Sequence, residues 1–400
     1  MIGAILCLPL LSFTIAWVST FIIKRVAPRV GFVDKPGHRK IHHIPKPLGG
    51  GIAIFLGFAL PMAAVLFIVN VASPHITATI EKGFPDESTK VLGDWPLAAY
   101  WSGVRQQTPM GVGLLLAMLA MHLLGLWDDR RAMGPYLKLV LQLGIIAFLV
   151  IPNRPLWLLT ALDERLGMHY VLSMGISILW IAAVTNAFNF LDNMDGLSAG
   201  VAAVCTVAFL ATALSIQQWF VAAALALLLG ALIGFLCFNF SPASIFMGDS
   251  GSLLIGLVLG VLTVRTTYLP RDRPLAAGWY DVFAPIIVLA VPMYDLIVVS
   301  VIRLSRGKSP FVGDTNHFSH RLVARGMSRR TAVLCLYLIT AATAIAAVLL
   351  PQVQTASGAM LIFGQTLLIL GVVALLEQHP IAMTGQINTE SRRHGEENET

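Results

Sequence analysis

Apolar runs of roughly twenty residues recur along this chain from end to end, and each is long enough to cross a bilayer as a helix. They lie at about 1–23, 47–70, 110–127, 139–155, 172–191, 197–215, 218–238, 251–268, 283–302, 331–350 and 358–376. Of the 400 residues, 56% are hydrophobic and 12% are charged, about half the charge fraction of a soluble protein. Mean hydropathy is +0.78. In hydrocarbon a chain must satisfy its own backbone polar groups, which leaves helices or closed barrels. A barrel needs alternating rather than continuous apolar segments. The expected fold is therefore all-α, a polytopic integral membrane protein with about eleven transmembrane helices. Residues 1–376 are expected to form one multi-span membrane domain. Residues 377–400, ending in "ESRRHGEENET", read as a polar, disordered tail.

The first apolar run has no positive charge before it and is followed by Lys24, Arg25 and Arg29. That is the pattern of a retained span with its N-terminus outside, not of a cleaved signal peptide. Inner loops are then 24–46, 128–138, 192–196, 239–250 and 303–330, and they hold about twice the lysine and arginine of the outer loops, as the positive-inside rule requires. The C-terminus is placed in the cytoplasm. The formal net charge of +6 suits loops that face anionic lipid heads, and nothing calls for nucleic acid. Cys7, Cys205, Cys237 and Cys335 are scattered, with no C-x-x-C, so neither a disulfide framework nor a thiolate metal site is indicated.

This topology brings four polar clusters to one face, the cytoplasmic one. "WDDRR" ends a span with Asp128 and Asp129. Adjacent carboxylates repel, which suits a general base or a magnesium ligand. "NAFNFLDNMDGLSAG" places Asn186, Asn189 and Asn193 within about 60° of helical arc, with Asp192, Asp195 and the flexible Gly196 following. An interhelical hydrogen-bonding seam could explain the asparagines but poorly the acids. "IFMGDSGS" sets Asp249 between glycines and serines as a span opens. Its amides could face a phosphate, or Asp249 or Ser250 could cap the helix. "GDTNHFSHRL" offers Asp314, His317, His320 and Arg321, a set better suited to phosphate than to zinc, for which no third ligand at zinc spacing follows. The first inner loop, "GFVDKPGHRKIHHIPKPLGGG", ends in Lys46, a further cation for lipid heads or a diphosphate. Together the clusters ask for a phosphate-rich substrate, a divalent ion, and one water-soluble and one lipid partner.

In this order, "DKPGHRKIHHIPKPLGGG", "DDRRAMGPYLK", "NAFNFLDNMDGL", "FMGDSGS" and "SPFVGDTNHFSHRL" resemble the polyprenyl-phosphate N-acetylhexosamine-1-phosphate transferases, over about residues 1–350. The resemblance implies transfer of an N-acetylhexosamine 1-phosphate from a UDP-N-acetylhexosamine to undecaprenyl phosphate. The products are a lipid-linked diphospho-sugar and UMP. Mg2+ is the implied cofactor, with Mn2+ an alternative, and the inner membrane is the implied location, with the site on its cytoplasmic face. It further implies catalytic roles for Asp128, Asp129, Asp192, Asp195 and Lys138. Asp249, with Asp129, is the implied metal site. Asn186, Asn189, Asp314, His317, His320, Arg321 and Lys46 fall to substrate binding. A homodimer is compatible with it. The first loop is closer to the WecA- and TagO-like branch than to the MraY-like branch, which favours UDP-GlcNAc over a peptide-bearing UDP-MurNAc. One departure stands out: many relatives have H-x-H-H, whereas here the stretch is His317-Phe318-Ser319-His320.

Two rival readings fare worse. The CDP-alcohol phosphotransferase pattern begins well at Asp192, Asp195, Gly196 and Ala199, but Gly200 stands where an arginine is needed. An ion-coupled transporter would carry its acids near the bilayer midplane. Here that applies to Asp295 alone.

Overall fold

The computed structural model describes residues 2–34, 45–72, 96–266, 283–309, 316–350, 353 and 355–378. Asp314, most of the first inner loop and the polar tail beyond Gln378 lie outside the described residues. The helices are α1 (Ile2–Val26), α2 (Gly50–Phe67), α3 (Pro96–Arg130), α4 (Pro135–Val150), α5 (Thr160–Leu166), α6 (Val171–Leu191) and α7 (Leu197–Ser215). They continue with α8 (Trp219–Asn239), α9 (Asp249–Thr266), α10 (Ala284–Val288), α11 (Ala290–Ser305), α12 (Phe318–Ala324), α13 (Arg329–Leu349) and α14 (Ala356–Gln378). Among the described residues, strand is confined to β1 (Val33–Asp34) and β2 (Lys46–Pro47), antiparallel, with Val33 opposite Pro47 and Asp34 opposite Lys46. The chain is an all-α polytopic membrane protein.

Nine helices of the described residues are long and apolar enough to cross a membrane. The two remaining expected spans take other forms. The run at 139–155 becomes α4, which starts at Pro135 and has 16 residues, about 24 Å of helix against a hydrocarbon core of about 30 Å. Proline at its first position, which needs no N–H there, sets the early start. The run at 283–302 breaks at Leu289 into α10 and α11. Pro292, which has no N–H to give a preceding carbonyl, is accommodated in the first turn of the restarted helix.

The centre of the bundle is α9, whose residues from Ser250 to Val264 are all buried. It packs on α6, α3, α2 and α7. Lipid tails are as apolar as leucine, so such packing depends on close backbone approach and on polar side chains that bond inside the protein. A Cβ at Gly256 would come 2.5 Å from Thr185 Cα, so α6 and α9 touch through bare backbone. Thr185, Thr206 and Thr340 return their hydroxyls to carbonyls one turn back. The outermost helices are α1 and α14, on which large side chains such as Leu10, Met360 and Leu361 are exposed.

Candidate active site

The C-terminal ends of α3 and α6 meet the N-terminal ends of α4 and α9, and the polar residues of all four converge. Asp129 turns to the first turn of α9. Its Oδ1 accepts from the Asp249 N–H at 2.7 Å and its Oδ2 from the Ser250 N–H at 3.1 Å. Those are amides that a helix start leaves without internal partners. An acid from a distant helix thus caps α9. The amides expected to meet a phosphate are engaged by Asp129, and Asp249 is released from the capping role. Asp129 is placed as a holder of α9 at least as much as a metal ligand.

Asp128 points the other way. Its Oδ1 accepts from the Met133 N–H at 2.6 Å, which shapes the turn into α4. Its Oδ2 lies 2.8 Å from Lys138 Nζ, and the same ammonium lies 2.5 Å from Asp249 Oδ2. Asn189 Nδ2 donates to Asp249 Oδ1 at 2.7 Å and to Ser252 Oγ at 2.9 Å. Lys138 and Asn189 therefore fix both Asp249 oxygens. Asp249 is the most open of the three charged groups, its side chain 31% exposed against 10% for Asp128 and 14% for Lys138. Asn186 lies a turn deeper and donates to Gln142 Oε1 of α4 at 2.9 Å.

The helix α6 ends at Leu191, so Asn193 stands in a turn with Asp192 and Asp195 and not on the expected helical stripe with Asn186 and Asn189. Gly196, at φ +76°, lets α7 begin. Burial first, then the like charges of Asp249, Asp129 and Asp195, hold the Asp192 carboxyl well above the ordinary carboxylate range. Asp195 Oδ2 accepts from the Ala243 N–H at 2.9 Å, and Lys46 donates to the Ala243 carbonyl. These two residues hold the N–H and the carbonyl of one residue of the 240–248 loop, Ala243, between them. Asn239 ties that loop to the turn after α6, donating to the Ile245 carbonyl and accepting from the Gly196 N–H.

The histidine segment docks on this turn. Ser319, the departure from the H-x-H-H pattern, donates to Asn193 Oδ1 at 2.6 Å and is 1% exposed. His317 turns inward, with Nδ1 2.8 Å from Asp295 Oδ2 and the ring edge-on to Phe190 at 5.9 Å. A carboxylate only accepts, so Nδ1 carries the proton. Asp295 Oδ1 also accepts from the Phe318 N–H at 2.6 Å, so its place within an apolar run has a structural partner. Arg303 stacks over Phe190 at 4.9 Å beside them. His320 is half-buried, 6.4 Å from the His317 ring. Arg321 was expected at the phosphates, but it donates to the Asn316 carbonyl and pairs at 3.0 Å with Glu377 of α14. Glu377 also accepts from the Tyr294 hydroxyl at 3.2 Å. It therefore belongs to the folded domain and not to the tail that the sequence reading began there.

Among the described residues no group of three or more His, Cys, Asp or Glu forms a ready metal cage. Magnesium seldom uses one: one or two carboxylates, waters and substrate phosphates suffice. Lys138 is paired with Asp128 and Asp249, and the further carboxyls of Asp129 and Asp192 stand close enough to feel the charge of Asp249. This acidic surrounding fits a divalent ion shared with a phosphate substrate, with the open Asp249 as the residue that would hold it. Asp129, the other expected ligand, has both oxygens on the α9 amides. Asp295, Arg303 and Glu377 did not stand out as site residues in the sequence. Asp295 carried one signal, a charge within an apolar run, whereas Arg303 and Glu377 fall just past the ends of their runs and carried none.

The chain matches the family "Glycosyl transferase family 4" over residues 112–267. It is 30% identical over 344 residues to "Probable undecaprenyl-phosphate N-acetylglucosaminyl 1-phosphate transferase" of Bacillus subtilis, covering 85% of this chain and 83% of that one. It is 30% identical over 380 residues to the decaprenyl-phosphate N-acetylglucosaminephosphotransferase of Mycolicibacterium smegmatis, covering 90% and 84%. With the undecaprenyl-phosphate alpha-N-acetylglucosaminyl 1-phosphate transferase of Escherichia coli it shares 25% over 344 residues, covering 82% and 78%.

Proposed function

Because the chain belongs to the polyprenyl-phosphate N-acetylhexosamine-1-phosphate transferase family, we propose that it transfers GlcNAc 1-phosphate from UDP-GlcNAc to undecaprenyl phosphate at the cytoplasmic face of the inner membrane. The observation that carries this reading is the Asp128–Lys138–Asp249–Asn189 network at the end of the spans. On this reading the network holds an open carboxylate at the end of the spans, where water would meet lipid.

In the reaction an oxygen of the lipid phosphate attacks the phosphorus next to the sugar. The bond from that phosphorus to the bridging oxygen breaks, and UMP leaves with the electron pair. Asp128 is at hand to take a proton from the acceptor phosphate, and Lys138 steadies charge on both sides of the transfer. Asn189 keeps Asp249 turned to the donor. Magnesium bound at Asp249 would neutralise the diphosphate and the departing UMP. The segment bearing His317 and His320 would close over the donor from the α12 side, with His317 held by Asp295.

The cytoplasmic placement is supported by the basic residues around this end. Lys24 lies over Phe238, Arg130 over Phe32, and Arg330 donates to the Ser241 carbonyl.

The test uses the purified full chain with undecaprenyl phosphate, Mg2+ and UDP-GlcNAc, following UMP. Release that needs lipid and metal and collapses in Asp249→Asn is the expected result. Release with UDP-MurNAc-pentapeptide instead would move the chain to the MraY-like branch. Silence with every UDP-hexosamine in folded protein would sink the enzymatic reading.

A further inference from the structure

In the apolar part of α3 lies a histidine that the reaction above does not use. His122 is 4% exposed, and its ring lies flat against Phe55 of α2, 5.0 Å away and 6° from parallel. Its Nδ1 is 3.0 Å from the carbonyl oxygen of Ser250. A carbonyl only accepts, so Nδ1 carries the proton and donates. That carbonyl has two lone pairs, one for its own helix and one for the imidazole.

His122, Gly125 and Asp129 are spaced i, i+3 and i+7, on one face of α3. All three meet the first turn of α9. Asp129 takes the Asp249 and Ser250 N–H groups, and His122 holds the Ser250 carbonyl. Gly125 lets the backbones touch, since a Cβ there would come 2.4 Å from Ser250 Cα. The turn that bears Asp249 is thus gripped by one helix through its donors and through an acceptor. The two anchors stand seven residues apart on α3 and hold adjacent residues of α9, Asp249 and Ser250. The Ser250 carbonyl points the opposite way along the helix from the amides, so its bond adds a constraint that the two amide bonds do not supply. An imidazole inside an apolar span is costly, and packing alone would be served by leucine.

We propose that His122 is a positioning residue for the transfer: through Ser250 it fixes the rotation of the α9 start and so aims the Asp249 carboxylate. This rests on the reaction proposed above.

The test compares His122→Leu, His122→Asn and His122→Gln in the full chain in nanodiscs. Asparagine places its Nδ2 where Nδ1 of histidine lies, and glutamine does not. Two readouts are taken: kcat and KM for UMP release, and the Mg2+ concentration that gives half of the Mg2+-linked rise in Tm. In His122→Leu, kcat is expected to fall and the half-saturating Mg2+ to rise, each roughly 10–100-fold, as when an outer-shell partner is lost. KM for undecaprenyl phosphate stays unchanged. His122→Asn recovers most of both effects and His122→Gln does not.

A folded His122→Leu with wild-type kcat and Mg2+ dependence overturns the proposal, as does equal impairment of all three variants. If the leucine variant fails to fold, the asparagine–glutamine contrast decides, and equal behaviour overturns it. A wild type that releases no UMP from any UDP-hexosamine sinks the reaction instead. The Mg2+-linked Tm rise then still tests His122, and its absence in the wild type counts against the proposal too.

Discussion

Lys138 is shared by two carboxylates that would otherwise repel across the site, Asp128 at 2.8 Å and Asp249 at 2.5 Å. Lys138→Met is expected to lower kcat by about 10²-fold or more, the scale of losing one charge-stabilising group, measured by UMP release. Ser319 makes a sharper case. The residue is 1% exposed and its hydroxyl is bonded to Asn193, so a histidine there would overfill the site. Ser319→His, which would restore the H-x-H-H pattern, is expected to cost about 1–3 kcal/mol, seen as a lower Tm with no gain in activity. The acids at span ends were legible in the sequence because charge beside hydrocarbon rarely lacks a purpose. What each acid touches was not. The amides that Asp129 accepts lie 120 and 121 residues away, and no local pattern carries that pairing. The same distance problem hid the hold of Asp195 and Lys46 on the Ala243 backbone.

Two ends of helices depend on a residue from another element. At the start of α6, away from the active end, Asp163 of α5 accepts from the Ser173 N–H at 2.6 Å and the Leu172 N–H at 3.3 Å. Burial opposes its charge, yet the hydrogen bonds from Ser173 and Leu172 bring its carboxyl below the ordinary value. The unfolded chain then takes up the proton first as pH falls. The stability Asp163 supplies is whole above the unfolded carboxylate value of about 4 and is lost as pH drops through the lower folded value. Tm is expected to fall on the acid side in the wild type, with Asp163→Asn lower in Tm at neutral pH and flatter toward acid. At the end of α14, Glu377 pairs with Arg321, with 9% and 16% side-chain exposure. Glu377→Ala strands a largely buried guanidinium and is expected to cost about 3 kcal/mol. The double variant Glu377→Gln with Arg321→Gln should cost less than the sum of its singles, which a double-mutant cycle on Tm checks. The apolar run of α14 announced a span, but its hold on the histidine segment depends on one glutamate that reads as the first residue of a tail.

At the scale of the whole molecule, the class of fold was readable from apolar run length alone, because hydrocarbon permits so few alternatives. The count of spans was less so. A proline near the start of α11 and a short α4 are local effects that a run of apolar letters does not display. Nor does the run reveal that α9 is enclosed on all sides, since a buried helix and a lipid-facing one share the same composition. The short α4 has a further consequence. At about 24 Å it carries Lys138 in its second turn, and a helix shorter than its solvent draws the surface of that solvent inward. The leaflet is therefore expected to dimple beside the site, lowering the head groups of nearby lipids toward Lys138. Transfer rates measured in nanodiscs of increasing acyl length should then fall once the bilayer resists the dent, and a flat response would show that no dent is needed. A long-tailed acceptor would descend to the protein, with the membrane itself acting as a compliant part of the machine.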